Sequence, residues 1–133
     1  MSLQPGLSFD QAPPILVPFR FFLTAPWFGM LAAALILWYG PALLDSRWLP
    51  EVLAVTHLIT LGFLGMVMAG ALMQMLPVLA GAPVQRPVLV ARLVHGLLLP
   101  GILLLVVGFL ARAPWSMRIA VPLLAAGFGA SYA

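Results

Sequence analysis

Long apolar runs, separated by short polar or proline-containing breaks, dominate the pattern of hydrophobic and polar positions. The runs lie at about 19–40, 50–77, 88–110 and 115–133. Each run is close to or longer than the roughly 20 residues that a helix needs to cross a bilayer. None alternates between apolar and polar residues as barrel strands do, and lipid permits only helices or closed barrels. The pattern predicts an all-α fold, a polytopic transmembrane bundle of about four antiparallel membrane-spanning helices.

The first segment, 1–18, differs from the rest because it carries four prolines and a single acid, Asp10. No basic region precedes an apolar stretch here, so the segment is not typical of a secretory signal peptide. We interpret it as a proline-rich N-terminal arm that leads into a transmembrane domain over 19–133. The chain is still apolar at Ala133. We expect it to be a piece of a longer protein, with a minimal four-helix protein as the alternative.

The composition supports a lipid environment, because 64% of the residues are hydrophobic and 7% are charged. Soluble domains are about one quarter charged, and disordered chains have low hydrophobicity. The positive charges are six arginines that lie singly near the ends of the apolar runs. Such a distribution indicates membrane anchors and excludes the clustered basic face of a nucleic-acid-binding protein. The arginines divide equally between the two predicted sides of the membrane, so charge does not set the orientation.

The second apolar run contains the residues best suited to bind a cofactor. At about 100° per residue, His57 and Met68 lie on one stripe of the helix, and Gly62 and Gly65 form a groove beside it. Small residues allow another helix or a flat cofactor to approach the backbone. An imidazole beside a thioether and a groove is typical of a helix that holds a haem through an axial histidine. The alternative is that the glycines and methionines serve packing alone.

The other candidate residues are fewer and weaker. His95 is a second candidate metal ligand, but antiparallel helices would place it and His57 at depths that differ by about 10 Å or more. We therefore expect no shared iron, and a second ligand to His57 from another subunit or from further helices. Arg86 and Arg92 are candidates for holding a haem propionate or a lipid phosphate, although such arginines commonly extend to the headgroups. Gln74 is expected to hydrogen-bond between helices.

The segment from about Leu53 to Gly108 resembles the first helices of haem–copper oxidase subunit I. It also resembles the NnrS-type membrane haem proteins that are linked to nitric oxide metabolism. The resemblance is carried by His57, Met66, Met68, Leu76-Pro77 and Gly81-Ala82-Pro83. Aligning the Leu-Pro and Gly-Ala-Pro elements with the oxidases requires a short gap after the histidine.

The resemblance implies that His57 is an axial ligand of a low-spin haem, on the side of the membrane that faces away from the cytoplasm. It implies a bacterial inner-membrane protein with a cytoplasmic N-terminus and the loop 45–51 in the periplasm. A role in electron transfer, respiration or nitric oxide chemistry follows. The second axial histidine, the copper ligands and the active-site tyrosine of these families have no counterpart in this chain. We therefore expect oxidoreductase activity only within a longer protein, and no catalytic residue here.

Two other functions remain open from the sequence. The chain is alternatively a non-enzymatic helical module, an assembly subunit or a transporter fragment without a cofactor, whose glycines pack helices. A proton- or metal-handling protein that uses His57 and His95 together is less favoured. The three acids lie at or outside the ends of the apolar runs, so no carboxylate within the membrane accompanies two ligands at different depths. In each case we expect the lipid bilayer as a partner, with a homo-oligomer or further helices completing the molecule.

Overall fold

The structure, a computed structural model, describes residues 9–81 and 84–131, and every regular element within these ranges is helical. The predicted all-α fold class is therefore confirmed. A 3₁₀ turn, Phe9–Gln11, precedes the main helices. These are α1 (Leu16–Tyr39), α2 (Pro50–Ala80), α3 (Pro87–Leu110) and α4 (Pro114–Ala130). A second 3₁₀ turn, Gly40–Leu44, extends α1.

Three stretches of helix are long and apolar enough to cross a membrane: Leu16–Leu44, Pro50–Ala80 and Pro87–Leu110. The chain thus has the helices of a membrane protein. The fourth helix, α4, has 17 residues. At 1.5 Å per residue it extends about 26 Å, slightly less than the roughly 30 Å of hydrocarbon. The predicted fourth run also includes 132–133, which lie outside the described residues, so a fourth crossing stays a prediction.

Prolines mark the helix boundaries, although not all as predicted. The helices α2, α3 and α4 each begin with a proline in the first turn. Proline has no backbone N–H, and at this position an N–H would have no acceptor within the helix. Helix α1 begins at Leu16, earlier than the predicted 19, because Pro18 is accommodated in the first turn. The end of the second run that the sequence predicts, at 77, is wrong. The helix passes through Pro77 and ends at Ala80, and its C-cap Gly81 has a left-handed φ of 61°.

Helix α2 changes its geometry partway along. It is α-helical over Pro50–His57, π-helical over Leu58–Leu64 and α-helical again over Gly65–Ala80. In a π segment, backbone hydrogen bonds join residues five apart, so a turn holds more residues than a turn of an α-helix. Such segments are frequent at functional sites. The angle of 100° per residue does not apply across it. Residues before and after the segment therefore do not lie on the faces that a helical wheel assigns to them.

Helices α1 and α2 pack closely through small residues on α2. A Cβ added to Gly62 would lie 2.6 Å from Cγ of Phe28, and one added to Gly70 would lie 3.0 Å from Cβ of Phe21. Residue numbers rise along α1 as they fall along α2, so the two helices run in opposite directions. Both glycines are buried, so the side chains of α1 fill the space above them.

Helices α3 and α4 form a second close pair. A Cβ at Gly101 would lie 2.9 Å from Cδ2 of Leu124, and one at Gly108 would lie 2.5 Å from Cγ of Met117. These two contacts again show that the chain runs in opposite directions in the two helices. The space beside Gly101 and Gly108 is thus filled by side chains of α4.

The contacts also define the two ends of the molecule. Pro50, the first residue of α2, lies beside Phe109 near the end of α3. Since α1 runs opposite to α2, α1 and α3 begin at the same end, which we call the Arg20 end. The opposite end, where α2 and α4 begin, we call the His57 end. Trp38, Trp48 and Trp115 are exposed there, as interfacial tryptophans are in membrane proteins.

Candidate functional site

His57 lies at the last α-helical position before the π segment of α2 and is half-buried. Its Nδ1 is 2.7 Å from the backbone oxygen of Leu53, one turn earlier. A carbonyl oxygen only accepts hydrogen bonds, so Nδ1 carries the proton and Nε2 presents its lone pair. In the described part of the chain, Nε2 has no hydrogen-bond partner. Histidines that bind metals are oriented by the same kind of bond from the second ring nitrogen.

Phe109 fixes the surroundings of His57 on the side of α3. The two ring centroids are 5.0 Å apart and the rings are tilted by 36°. Phe109 also lines a cavity of about 260 Å³ at the His57 end, together with Pro50, Gly108, Arg112, Pro114 and Met117. Cavities that enclose small molecules have volumes of roughly 300–1,000 Å³. This cavity cannot enclose a haem, so a haem on His57 would lie mostly against lipid or further protein.

The structure does not bring the four predicted haem-contacting residues onto one groove. Gly62 is buried beneath Phe28. A Cβ on Gly65 would lie 3.3 Å from the backbone oxygen of Thr60. Met68 is 61% exposed on the outer surface. Gly62 lies within the π segment, and the segment separates Gly65 and Met68 from His57. The assignment of Gly62, Gly65 and Met68 to a haem pocket stays a prediction.

His95 has a different environment, between two helices. Its Nε2 is 2.8 Å from Oγ1 of Thr24, and that hydroxyl donates its proton to the backbone oxygen of Arg20 at 2.7 Å. Because a hydroxyl has one proton, Thr24 accepts the Nε2–H of His95. The ring also meets Phe21 edge to face, with centroids 5.4 Å apart. His95 thus fastens α3 to α1.

The two histidines are far apart along the molecule. His57 contacts α3 at Phe109, whereas His95 is itself on α3, fourteen residues earlier. That interval corresponds to about 21 Å along an α-helix. One iron cannot bind both rings, which agrees with the depths expected from the sequence. Within the described ranges, no group of three or more His, Cys, Asp or Glu residues is placed to hold a metal ion.

Sequence reasoning missed Arg20 and Thr24 as members of a polar cluster. Their spacing of four residues places them on one face of α1, but their partner His95 is 71 residues away from Thr24 and only the fold shows the contact. Nε of Arg20 and Oε1 of Gln74 are buried, and neither has a hydrogen-bond partner among the described residues. The interhelical bond expected for Gln74 is not formed by that oxygen.

Comparisons with protein-family models, with curated proteins and with solved structures give no match to this chain. The resemblance to haem–copper oxidase subunit I and to NnrS-type proteins therefore rests on the sequence motifs alone.

Proposed function

We propose that this chain is a haem-binding protein of the bacterial inner membrane, in which His57 supplies one axial ligand through Nε2. The observation that supports the proposal is the bond between His57 Nδ1 and the backbone oxygen of Leu53. That bond leaves the other ring nitrogen as an available σ-donor in an apolar helix. The haem would supply electron transfer or gas-ligand chemistry.

The residues of the chain hold and orient the imidazole. The carbonyl of Leu53 selects the tautomer, and the ring of Phe109 restricts rotation of the imidazole plane. His57 lies seven residues into α2, about 10 Å from its start. This depth is suited to a group held within the hydrocarbon near one surface of the membrane.

The second axial ligand would come from outside this chain. At the end of the π segment and beyond it, Leu64, Met68 and Leu72 are 47%, 61% and 47% exposed on α2. We propose that this surface faces a second copy or further helices of a longer protein. In the same proposal the four helices cross the inner membrane as an antiparallel bundle with the N-terminus in the cytoplasm.

The test is a spectrum of the purified chain, produced in bacterial membranes and supplied with haem. We expect reduced-minus-oxidised haem bands in the wild type, their loss in His57→Gly, and their return when imidazole is added to that variant. His95→Ala is the matched control and should keep the bands. A colourless wild type, or bands that are unchanged in His57→Gly, would contradict the proposal.

A second candidate function is a helical membrane module without a cofactor. It is favoured by the packing of Gly62, Gly101 and Gly108, where side chains of neighbouring helices already occupy the space that a Cβ would need. For such a module, His57→Gly would leave the folding and the oligomeric state unchanged, and no pigment would co-purify with the wild type.

A further inference from the structure

A polar cluster at the Arg20 end is distinct from the surroundings of His57. It joins Arg20 and Thr24 of α1 to His95 of α3 through two hydrogen bonds. Phe21, which meets the imidazole edge to face, is fully buried. Polar side chains within apolar helices are costly and mark functional sites by default. The proposed haem ligation by His57 does not use any of these residues.

The guanidinium of Arg20 is incompletely satisfied. Its Nε is buried and has no acceptor in the described part of the chain. Buried donors in native proteins nearly always meet an acceptor, from protein, water or a bound ion, because an unpaired one is expensive. Thr24 donates to the carbonyl of Arg20 itself, so this turn of α1 is held in place by α3. The unpaired donor therefore belongs to a fixed part of the fold.

Arg20 lies near the start of α1, and its side chain is partly buried. Side chains on an α-helix tilt toward its N-terminus, and α1 begins four residues before Arg20. This distance is about 6 Å, which the long side chain spans to reach the level of the lipid headgroups. The N-termini of α1 and α3 both lie at this end and add partial positive charge.

Further positive charge lies close by on α3. Arg92 precedes His95 by three residues and shares its side of the helix, and Arg86 is the residue before α3 begins. In the described part of the chain, Asp10 is the acid found at this end. An anion is the ligand that such an excess of arginines attracts, and a guanidinium fork matches the geometry of phosphate.

We propose that the Arg20 end binds the phosphate group of an anionic phospholipid. Arg20 donates to the phosphate through the terminal nitrogens of its guanidinium, beyond the buried Nε, and Arg92 contributes positive charge from α3. Thr24 and His95 are positioning residues, because they hold the backbone of Arg20 against α3. The site is independent of the haem proposed at His57, which lies at the opposite end.

The experiment is native mass spectrometry of the full chain, purified in detergent and mixed with phosphatidylglycerol and phosphatidylcholine in equal amounts. We expect the wild type to retain phosphatidylglycerol with a preference of about tenfold, the effect of one charge-assisted hydrogen bond. Arg20→Gln should reduce the preference to near one. Arg118→Gln is the matched control, since Arg118 is exposed on α4 near the His57 end, and it should keep the preference.

Two further arms separate the sources of the phosphate and the roles of the residues. Inorganic phosphate at millimolar concentration should not displace phosphatidylglycerol from the wild type. Displacement that depends on Arg20 would overturn the lipid assignment in favour of a soluble phosphate. If Arg20→Gln does not fold, Arg20→Lys and Thr24→Val take its place. Each should lower the preference, because one lacks the guanidinium fork and the other releases the backbone of Arg20.

An equal retention of the two lipids by the wild type would overturn the proposal. A preference that persists in Arg20→Gln, or in both substitute variants, would do the same. His57→Gly should retain the preference. A failure of the haem proposal and a failure of the lipid proposal are therefore distinguishable.

Discussion

The two histidines of this chain occupy opposite kinds of environment. His57 bonds to the backbone of its own helix, through Leu53, and its second nitrogen has no partner in the described residues. His95 bonds across the molecule to Thr24 and meets Phe21 on the same helix, α1. The first ring is oriented but available. The second ring is used to hold two helices together.

This difference shows how a polar side chain in an apolar helix can be assigned a role. A histidine whose bond is local adds little to the tertiary structure, so a ligand-binding role explains its cost better. A histidine bonded to another helix already contributes to packing, as interhelical hydrogen bonds in membranes do. The neighbouring residues in the sequence favour His57 over His95 as a ligand, but only the hydrogen-bond partner shows which of the two rings is available.

The largest expected effect comes from glycines near each histidine. A Cβ on Gly62 would lie 2.6 Å from Phe28, whereas a Cβ on Gly96, next to His95, meets nothing within 4 Å. Gly62→Ala should destabilise the protein by about 2–3 kcal/mol, because Phe28 has to move away from α2. Gly96→Ala should stabilise it by about 0.5 kcal/mol, since alanine favours a helix more than glycine does. Unfolding in a titration of denaturing detergent measures both.

Equal effects of the two substitutions would contradict the packing described for α1 and α2. If Gly62→Ala also abolishes haem binding, the comparison becomes sharper. The contact between α1 and α2 would then support the position of His57 as well as the stability of the fold.

A smaller effect is expected from two threonines. Thr24 links α1 to His95, whereas Thr56 is exposed and bonds within its own helix to the backbone oxygen of Val52. Thr24→Val leaves the Nε2–H of His95 unpaired between helices and should cost about 1 kcal/mol. Thr56→Val is the control and should change the free energy of unfolding by less than about 0.5 kcal/mol. A loss in Thr56→Val as large as in Thr24→Val would contradict the structural role of His95.

The sequence predicted the helices well and the candidate site only in part. Apolar runs and prolines at 50, 87 and 114 locate three helix starts to within a residue, because lipid leaves the backbone few alternatives. The continuation of α2 past Pro77 was missed, since one proline does not end a helix that is supported by its neighbours. The face shared by His57 and Met68 was inferred at 100° per residue. No pattern of residues in the sequence indicates the π segment that separates them.

The finest distinction between the two histidines is the position of one proton. The carbonyl of Leu53 requires a proton on Nδ1 of His57, whereas Thr24, which gives its own proton to Arg20, requires one on Nε2 of His95. Nitrogen-15 solid-state NMR of the histidine-labelled chain in lipid should therefore show opposite neutral tautomers, assigned with His57→Gly and His95→Ala. Addition of ferric haem should broaden the resonances of His57 and leave those of His95 sharp, because an axial ligand lies within the paramagnetic field of the iron. Identical tautomers, or broadening at His95 alone, would reverse the roles that the hydrogen bonds assign to the two rings.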